Sequence, residues 1–185
     1  EKDETVERQK EAVDLCRKWG INVSLFMIFG LPTESHEDRL YSYRLCKEWG
    51  MEFTKFNNLI PYPGTKLYTQ VRDTPQIQVE EGWANFNSTL TATRSIFNTQ
   101  KLPYVPEGTT EWELKRDIMR CNFGFYFQPR ILLNVLRRKK GPGFVLLPKN
   151  WYLKPAELFE MTRLGLILLT NYFIALFPSK LGAFI

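Results

Sequence analysis

The sequence predicts an α/β fold, consecutive helix–strand units of a parallel sheet followed by an all-helical extension. Three observations predict it. The stretch "CRKWGINVSLFMIFGLPTES" at residues 16–35 is nearly repeated as "CKEWGMEFTKFNNLIPYPGT" at residues 46–65, and an interval of about 30 residues is what successive βα units require. Within each copy a helical apolar period gives way to a strand-like run bounded by Gly and Pro. Past residue 72 that alternation stops, and the later apolar runs have helical spacing.

The first helix is marked by Ala12, Leu15, Cys16 and Trp19, an i, i+3, i+4, i+7 stripe, and by Gly20 where a helix end favours positive φ. The run "INVSLFMIF" at residues 21–29 is almost wholly apolar, which predicts a strand covered on both faces. "GLPTESHED" then turns the chain, and Ser35 with Asp38 has capping-box spacing for a helix reaching Trp49. Ser42, Leu45, Cys46 and Trp49 repeat the stripe, and Gly50 repeats the stop. Residues 51–60 form the second strand. After it, Pro63-Gly64 is the centre of a type II turn, and Thr65 is the N-cap of a short helix reaching about residue 71. From there a polar stretch with a short strand near residues 77–79 leads into a Pro-punctuated connector. Thr110 and Glu113 cap a helix over about 110–127, Pro129 opens another over about 129–140 that ends in four cations, and a third spans about 153–177. The expected organisation is therefore βα units over 1–75, an irregular connector over 76–109 and a helical extension over 110–185.

A chain of 185 residues, 44% hydrophobic and 15% aromatic, can fill one good core. A net charge of +5 and a pI near 9.1 fall short of the basic density of a dedicated nucleic-acid binder, and no nucleic-acid partner is expected. Cys16, Cys46 and Cys121 are odd in number and far apart, which suggests neither a disulfide framework nor a Cys-rich metal site. All three read as small core hydrophobes, and a reducing, cytoplasmic location is expected. The first twenty residues are charged and contain no apolar signal-peptide core.

In parallel βα architectures ligands bind where strands end and loops begin, which selects residues 28–35 and 57–65. Gly30 offers a bare backbone to a ligand, Pro32 stiffens the turn, and Glu34 sits near a helix start, where the dipole alone also stabilises a carboxylate. A branched side chain at Gly30 is expected to block the ligand while sparing the fold. Asn57 and Asn58 add two side-chain amides. On spacing alone these are equally well-made βα turns. His36, the single histidine, reads as a solvated residue in a charged helix start. No Ser-His-Asp set, phosphate loop or metal-ligand spacing competes.

The series strand, "IFGLPTESHED", helix, strand, "PYPGTKLY" resembles the later βα units of radical S-adenosylmethionine (radical SAM) enzymes, in particular the group carrying a cobalamin-binding domain ahead of the barrel. Gly30, Pro32, Glu34 and Ser35 match the turn after that family's fifth strand, and Pro61, Pro63, Gly64 and Thr65 match the turn after its sixth. The resemblance is close over about residues 1–75 and looser over "FGFYFQPRILLNVLRR". It implies the C-terminal half of a partial TIM-like (β/α) radical SAM barrel with a helical extension. It also implies S-adenosylmethionine against Ile28, Gly30, Leu31, Pro32, Glu34, Asn57, Ile60 and Pro61, with a [4Fe-4S] cluster and, in some members, cobalamin. The implied activity is reductive cleavage of S-adenosylmethionine to a 5′-deoxyadenosyl radical, with or without cobalamin-dependent methyl transfer, on a small-molecule or lipid-like substrate. One departure is plain. The family's C-x-x-x-C-x-x-C cluster loop is absent, so the chain is expected to be the C-terminal piece of a larger protein, inactive alone, whose partners are the rest of the barrel and a cobalamin-binding domain.

The rival class is a non-catalytic α/β scaffold whose basic, apolar tail docks to a membrane surface or a protein. The charge-free run of fourteen residues at 164–177 is shorter than the roughly 20 a membrane span needs, leaving burial or an interfacial, membrane-associated helix as its readings. With strands as apolar as these and sheet edges left open, the isolated chain is expected to self-associate.

Overall fold

The computed structural model describes residues 4–86 and 101–131, together with Phe159, Thr162, Arg163, Leu166, Ile167, Leu169, Thr170 and Phe173, which are helical. The predicted caps start the helices where the sequence places them. Thr5 accepts the Arg8 N–H ahead of α1 (Val6–Lys18), Ser35 and Asp38 close a capping box on α2 (His36–Glu48), and Thr65 accepts the Tyr68 N–H ahead of α3 (Lys66–Val71). Thr110 and Glu113 form the second box, on α4 (Glu111–Tyr126). Gly20 and Gly50 stop α1 and α2 at φ 70° and 63°, a backbone state that costs glycine nothing.

Two strands follow those stops, β1 (Ser24–Phe29) and β2 (Phe53–Asn58), each shorter than the apolar run that predicts it. They pair in parallel, in a register running from Ser24 opposite Phe53 to Phe29 opposite Asn58. The result is a mixed α/β structure on a two-stranded parallel sheet. Its core holds Phe29, Cys46, Met51, Phe56, Leu114, Ile118, Cys121 and Phe125, all essentially buried. Phe56 is central, with ring centroids 5.3 Å from Phe29 and 6.4 Å from Phe125. Cys46 and Cys121 pack as the small hydrophobes expected of them, whereas Cys16 is only partly covered.

Three expectations require correction. The strand β1 is covered on one face only. Phe26 and Ile28 remain 64% and 49% exposed, because helices pack on one side of the sheet while the alternate residues face the other. The stripe on α1 also turns outward. Val13 is buried, whereas Leu15 and Trp19 lie in solvent. Finally, the short strand expected near residues 77–79 is not formed. Ile77 forms a single antiparallel bridge with Tyr104 rather than a strand, and Leu102 and Tyr104 are buried.

The outer edge of β2, expected to be open, is closed by α4. The Asn122 side-chain oxygen accepts the Phe56 N–H at 3.1 Å, and its amide nitrogen donates to the Phe56 carbonyl at 2.8 Å. One side chain thus stands in for a residue of a neighbouring strand. Two residues along, the Tyr126 hydroxyl donates to the Thr54 carbonyl at 2.7 Å. Below the strand, Arg130 donates to the carbonyls of Gly50 and Met51 at 3.0 and 2.6 Å. Backbone groups on a sheet edge need such partners once water is excluded. These backbone groups are therefore partnered by side chains of the same chain, and neither sheet edge carries a further strand among the described residues.

The predicted helix over 129–140 is helical at Pro129–Ile131, and its remainder lies outside the described residues. No helix among the described residues is long and apolar enough to cross a membrane. Replacing Asn122 with Leu strands a buried donor and acceptor, so chemical denaturation should show a loss of about 2–4 kcal/mol, while Tyr126→Phe should lose about 1 kcal/mol.

Candidate functional site

The loop after β1 folds back on itself. Gly30 takes φ 87°, and its N–H donates to a Glu34 carboxylate oxygen at 2.6 Å, closing the "GLPTE" turn. Glu34 therefore precedes the cap residue Ser35 instead of entering the first helical turn. A side chain at Gly30 would meet Leu114 of α4, whose Cδ2 atom lies 2.9 Å from the Cβ position. The bare backbone thus makes room for the core. A branched residue here would damage the fold, contrary to the sequence expectation.

Behind this turn lies a buried charge cluster. Arg39, 1% exposed, donates from Nε to Asp117 Oδ2 at 2.8 Å and from Nη1 to the Glu34 carbonyl at 3.4 Å. Its Nη1 also lies 3.8 Å from the Glu34 carboxylate. Asp117, fully buried on α4, takes His36 Nδ1 at 2.8 Å on the same oxygen, and Arg116 Nε stands 3.8 Å from its other oxygen. His36, the first residue of α2 and still 38% exposed at its side chain, is thus also a partner of an aspartate 81 positions away. A cavity of about 390 Å³ opens beside the cluster, between residues 33–39 and residues 107–116. Burial raises the Glu34 carboxyl above the ordinary glutamate range, although the Gly30 N–H and Arg39 pull the other way.

A second constellation occupies the uncovered face of the sheet. Ile28 and Asn57 are register partners at the C-terminal ends of β1 and β2, so their side chains stand side by side on one face. Leu31 follows, 46% exposed, and Ile28 is similarly open. Asn57 is 8% exposed, and its side-chain oxygen has no hydrogen-bond donor among the described residues. Such an orphaned acceptor costs about 1–3 kcal/mol unless something supplies a donor. Of the residues predicted from sequence, Ile28 and Asn57 thus stand side by side, Ile28 and Leu31 exposed and Asn57 buried. Gly30 and Glu34 turn toward α4 and Arg39, Pro32 is exposed, and Ile60 and Pro61 are buried behind the loop.

Arg39 and Asp117 escape the sequence reading, yet a signal for both exists. Asp117 sits with Leu114, Ile118 and Cys121 on the i, i+3, i+4, i+7 stripe of α4, and Arg39 lies three residues ahead of the stripe on α2. A charge inside an apolar stripe marks a buried partner. Among the described residues no group of three His, Cys, Asp or Glu side chains converges. Burial pushes the Cys46 and Cys121 thiols up to about 11 and about 12, which keeps them protonated and poor ligands.

Comparison with known proteins gives three distant relatives. The chain is 28% identical over 83% of its length to an anaerobic magnesium-protoporphyrin IX monomethyl ester cyclase of Cereibacter sphaeroides, covering 26% of that protein. It is 21% identical over 74% of its length to an uncharacterized methyltransferase of Pyrococcus horikoshii, covering 27% of it. It is 26% identical over 45% of its length to a bacteriochlorophyllide d C-8(2)-methyltransferase of Chlorobaculum tepidum, covering 18% of it. The chain is thus related to enzymes, and it spans about a quarter or less of each. No family model matches it, and no solved structure does.

Removing one member of the Arg39–Asp117 pair leaves a buried charge uncompensated. Asp117→Leu alone should cost about 3–5 kcal/mol, and the double variant Arg39→Met/Asp117→Leu should recover much of that loss. For Glu34, a raised carboxyl pKa means that the folded state holds its proton longer than the unfolded chain. Stability should therefore fall as pH rises from the ordinary glutamate value through the raised one. Glu34→Gln should flatten that part of the stability–pH curve, measured by denaturation at several pH values.

Proposed function

We propose that the chain is the last βα portion of a radical SAM enzyme, and that the open face of β1 and β2 lines the pocket for S-adenosylmethionine. The observation that carries this is the pairing of Asn57 with Ile28. Two parallel strand ends set a buried, unsatisfied amide oxygen beside exposed aliphatic carbon. A turn of the Asn57 side chain toward the open face would meet the exocyclic amine of an adenine whose flat apolar face lies on Ile28. The twin turns at residues 30–35 and 61–65 and the relationship to a cyclase and two methyltransferases support the same reading.

The residues fit the nucleoside and do not fit the iron–sulfur cluster. Cys46 and Cys121 are core residues with thiols held protonated, and the sequence contains no C-x-x-x-C-x-x-C spacing, so the cluster ligands belong to another part of the protein. S-adenosylmethionine, reductively cleaved at such a cluster, supplies a 5′-deoxyadenosyl radical. What this chain contributes is binding and orientation. Asn57 accepts from the adenine, Ile28 and Leu31 cover its face, and the Glu34–Gly30 closure holds the loop that presents them. The outer edge of β1, free of a strand among the described residues, is where the preceding strand of the barrel pairs. Exposed Phe26, Trp19 and Leu15 give that neighbour an apolar surface to cover. Cobalamin, in a separate domain of the parent protein, would make the reaction a methyl transfer.

A second reading keeps one specific observation. Phe159, Leu166 and Phe173, each helical and spaced by seven residues, are 67%, 60% and 56% exposed, a spacing and exposure suited to a protein partner or a membrane surface. It would make the tail a docking device added to the enzyme.

In the parent protein, Asn57→Leu should weaken S-adenosylmethionine binding tenfold or more by equilibrium dialysis, with an unchanged melting temperature, because the orphaned oxygen is removed together with its ligand bond. Full affinity in that variant would move the cofactor elsewhere. Gly30→Val is no substitute for this test, since its approach to Leu114 and the positive φ at that position strain the fold as well as the site.

A further inference from the structure

Beyond the end of β2 the chain builds a cluster of aromatic rings that the cofactor reading does not use. Tyr62 follows the buried Pro61, and its carbonyl accepts both the N–H and the hydroxyl of Thr65, at 3.1 and 2.7 Å. The backbone that carries the ring is thus held from both sides. Phe86 lies 6.4 Å from Tyr62 edge-on, Trp83 lies 4.5 Å from Phe86 edge-on, and Tyr68 of α3 lies 6.4 Å from Trp83. Despite this packing, Tyr62 and Trp83 remain 52% and 43% exposed.

Trp83 is held outward at a cost. It adopts φ 60° directly after Gly82 at φ 63°, and a bulky residue in the left-handed region is strained by about 1–2 kcal/mol. The strain is sustained by Asn85, 2% exposed, whose amide accepts the Glu80 N–H at 3.0 Å and donates to the Gln78 carbonyl at 2.7 Å. A loop clamped by a buried amide, with its tryptophan in a disfavoured conformation, is the kind of backbone that persists where a side chain must be presented.

We propose that Tyr62, Trp83 and Phe86 form a shelf that stacks a flat, conjugated ring system of the substrate. The rings offer faces and edges to such a system, and edge-to-face geometry favours it over flexible aliphatic chains. The Tyr62 hydroxyl and the indole N–H give the shelf a polar margin for groups on the rim of the bound ring. The inference rests on the proposed cofactor site only in taking the stacked molecule to be the substrate; the shelf itself is carried by this chain alone.

The test is a fluorescence titration of the full chain with magnesium protoporphyrin IX as the flat probe and dodecanoate as an aliphatic one. The flat probe should quench tryptophan emission saturably. Trp83→Gly should weaken its binding tenfold or more while leaving the melting temperature unchanged or raised, since glycine relieves the strained φ. Tyr62→Ala should weaken it similarly, and Trp19→Ala, which removes a more exposed indole next to the end of α1, should not. Equal losses from Trp19→Ala, tighter binding of dodecanoate, or a lower melting temperature with intact probe binding in Trp83→Gly would each overturn the proposal. So would a concentration-dependent dimer abolished by Trp83→Gly, which would assign the rings to a second copy. S-adenosylmethionine should not compete with the probe. Competition by it would place the rings in the cofactor pocket and overturn a separate substrate shelf, whereas failure of the cofactor reading leaves this titration unaffected.

Discussion

The buried ion pair between Arg39 and Asp117 is the constraint on which the rest of the structure depends. It joins α2, which follows the first loop, to α4, which arrives 78 residues later, and neither charge reaches water. Two charges removed from solvent are tolerated only while each satisfies the other. The pair therefore fixes α4 against α2 with little freedom of angle. Once α4 is in place, Leu114 fills the space beside Gly30, Phe125 meets Phe56, and Asn122 comes opposite the edge of β2. Glu34, near the same guanidinium, ties the loop of the candidate site into the arrangement.

This produces a sheet with two unlike edges and two unlike faces. On the β2 side, side chains of α4 and Arg130 take the places of a neighbouring strand, so the sheet ends there. On the β1 side the ladder stops without a further strand among the described residues, beside exposed Phe26 and Ile28. One face is packed with core, and the other carries Ile28 and Asn57. Under the proposed function, such a piece is the closing end of a larger parallel sheet, with the face of Ile28 and Asn57 inward and its joint at β1. The proposed cofactor pocket and the aromatic shelf lie in and just beyond the loops at the C-terminal ends of these two strands, where α/β architectures gather their chemistry.

Much of the local structure was legible in the sequence because neighbouring residues spell it. Capping boxes at Ser35 and Asp38 and at Thr110 and Glu113, and stops at Gly20 and Gly50, need only residues a few positions apart. What stayed hidden depends on distant partners. Periodicity shows that α1 has an apolar stripe but not whether anything covers it, and Leu15 and Trp19 lie in the open. No local pattern places Asn122 against Phe56, 66 residues away, or His36 against Asp117. At the candidate site, the placing of Ile28 and Asn57 at the strand ends was readable, whereas the true neighbour of Gly30 was not. A bare glycine looks the same in sequence whether a ligand or a leucine approaches it.

The central claim is that the loops and strand ends around Ile28–Leu31 and Asn57–Pro61 form a wall of the cofactor pocket. Amide hydrogen exchange of the parent protein, followed with and without S-adenosylmethionine, tests it most directly, because it reads where the ligand orders the backbone. The account predicts slowed exchange across residues 26–31 and 57–61 on binding, with the Phe56 amide, already held by Asn122, unchanged. Protection that appears only in other parts of the protein, with these two segments unaffected, would contradict it.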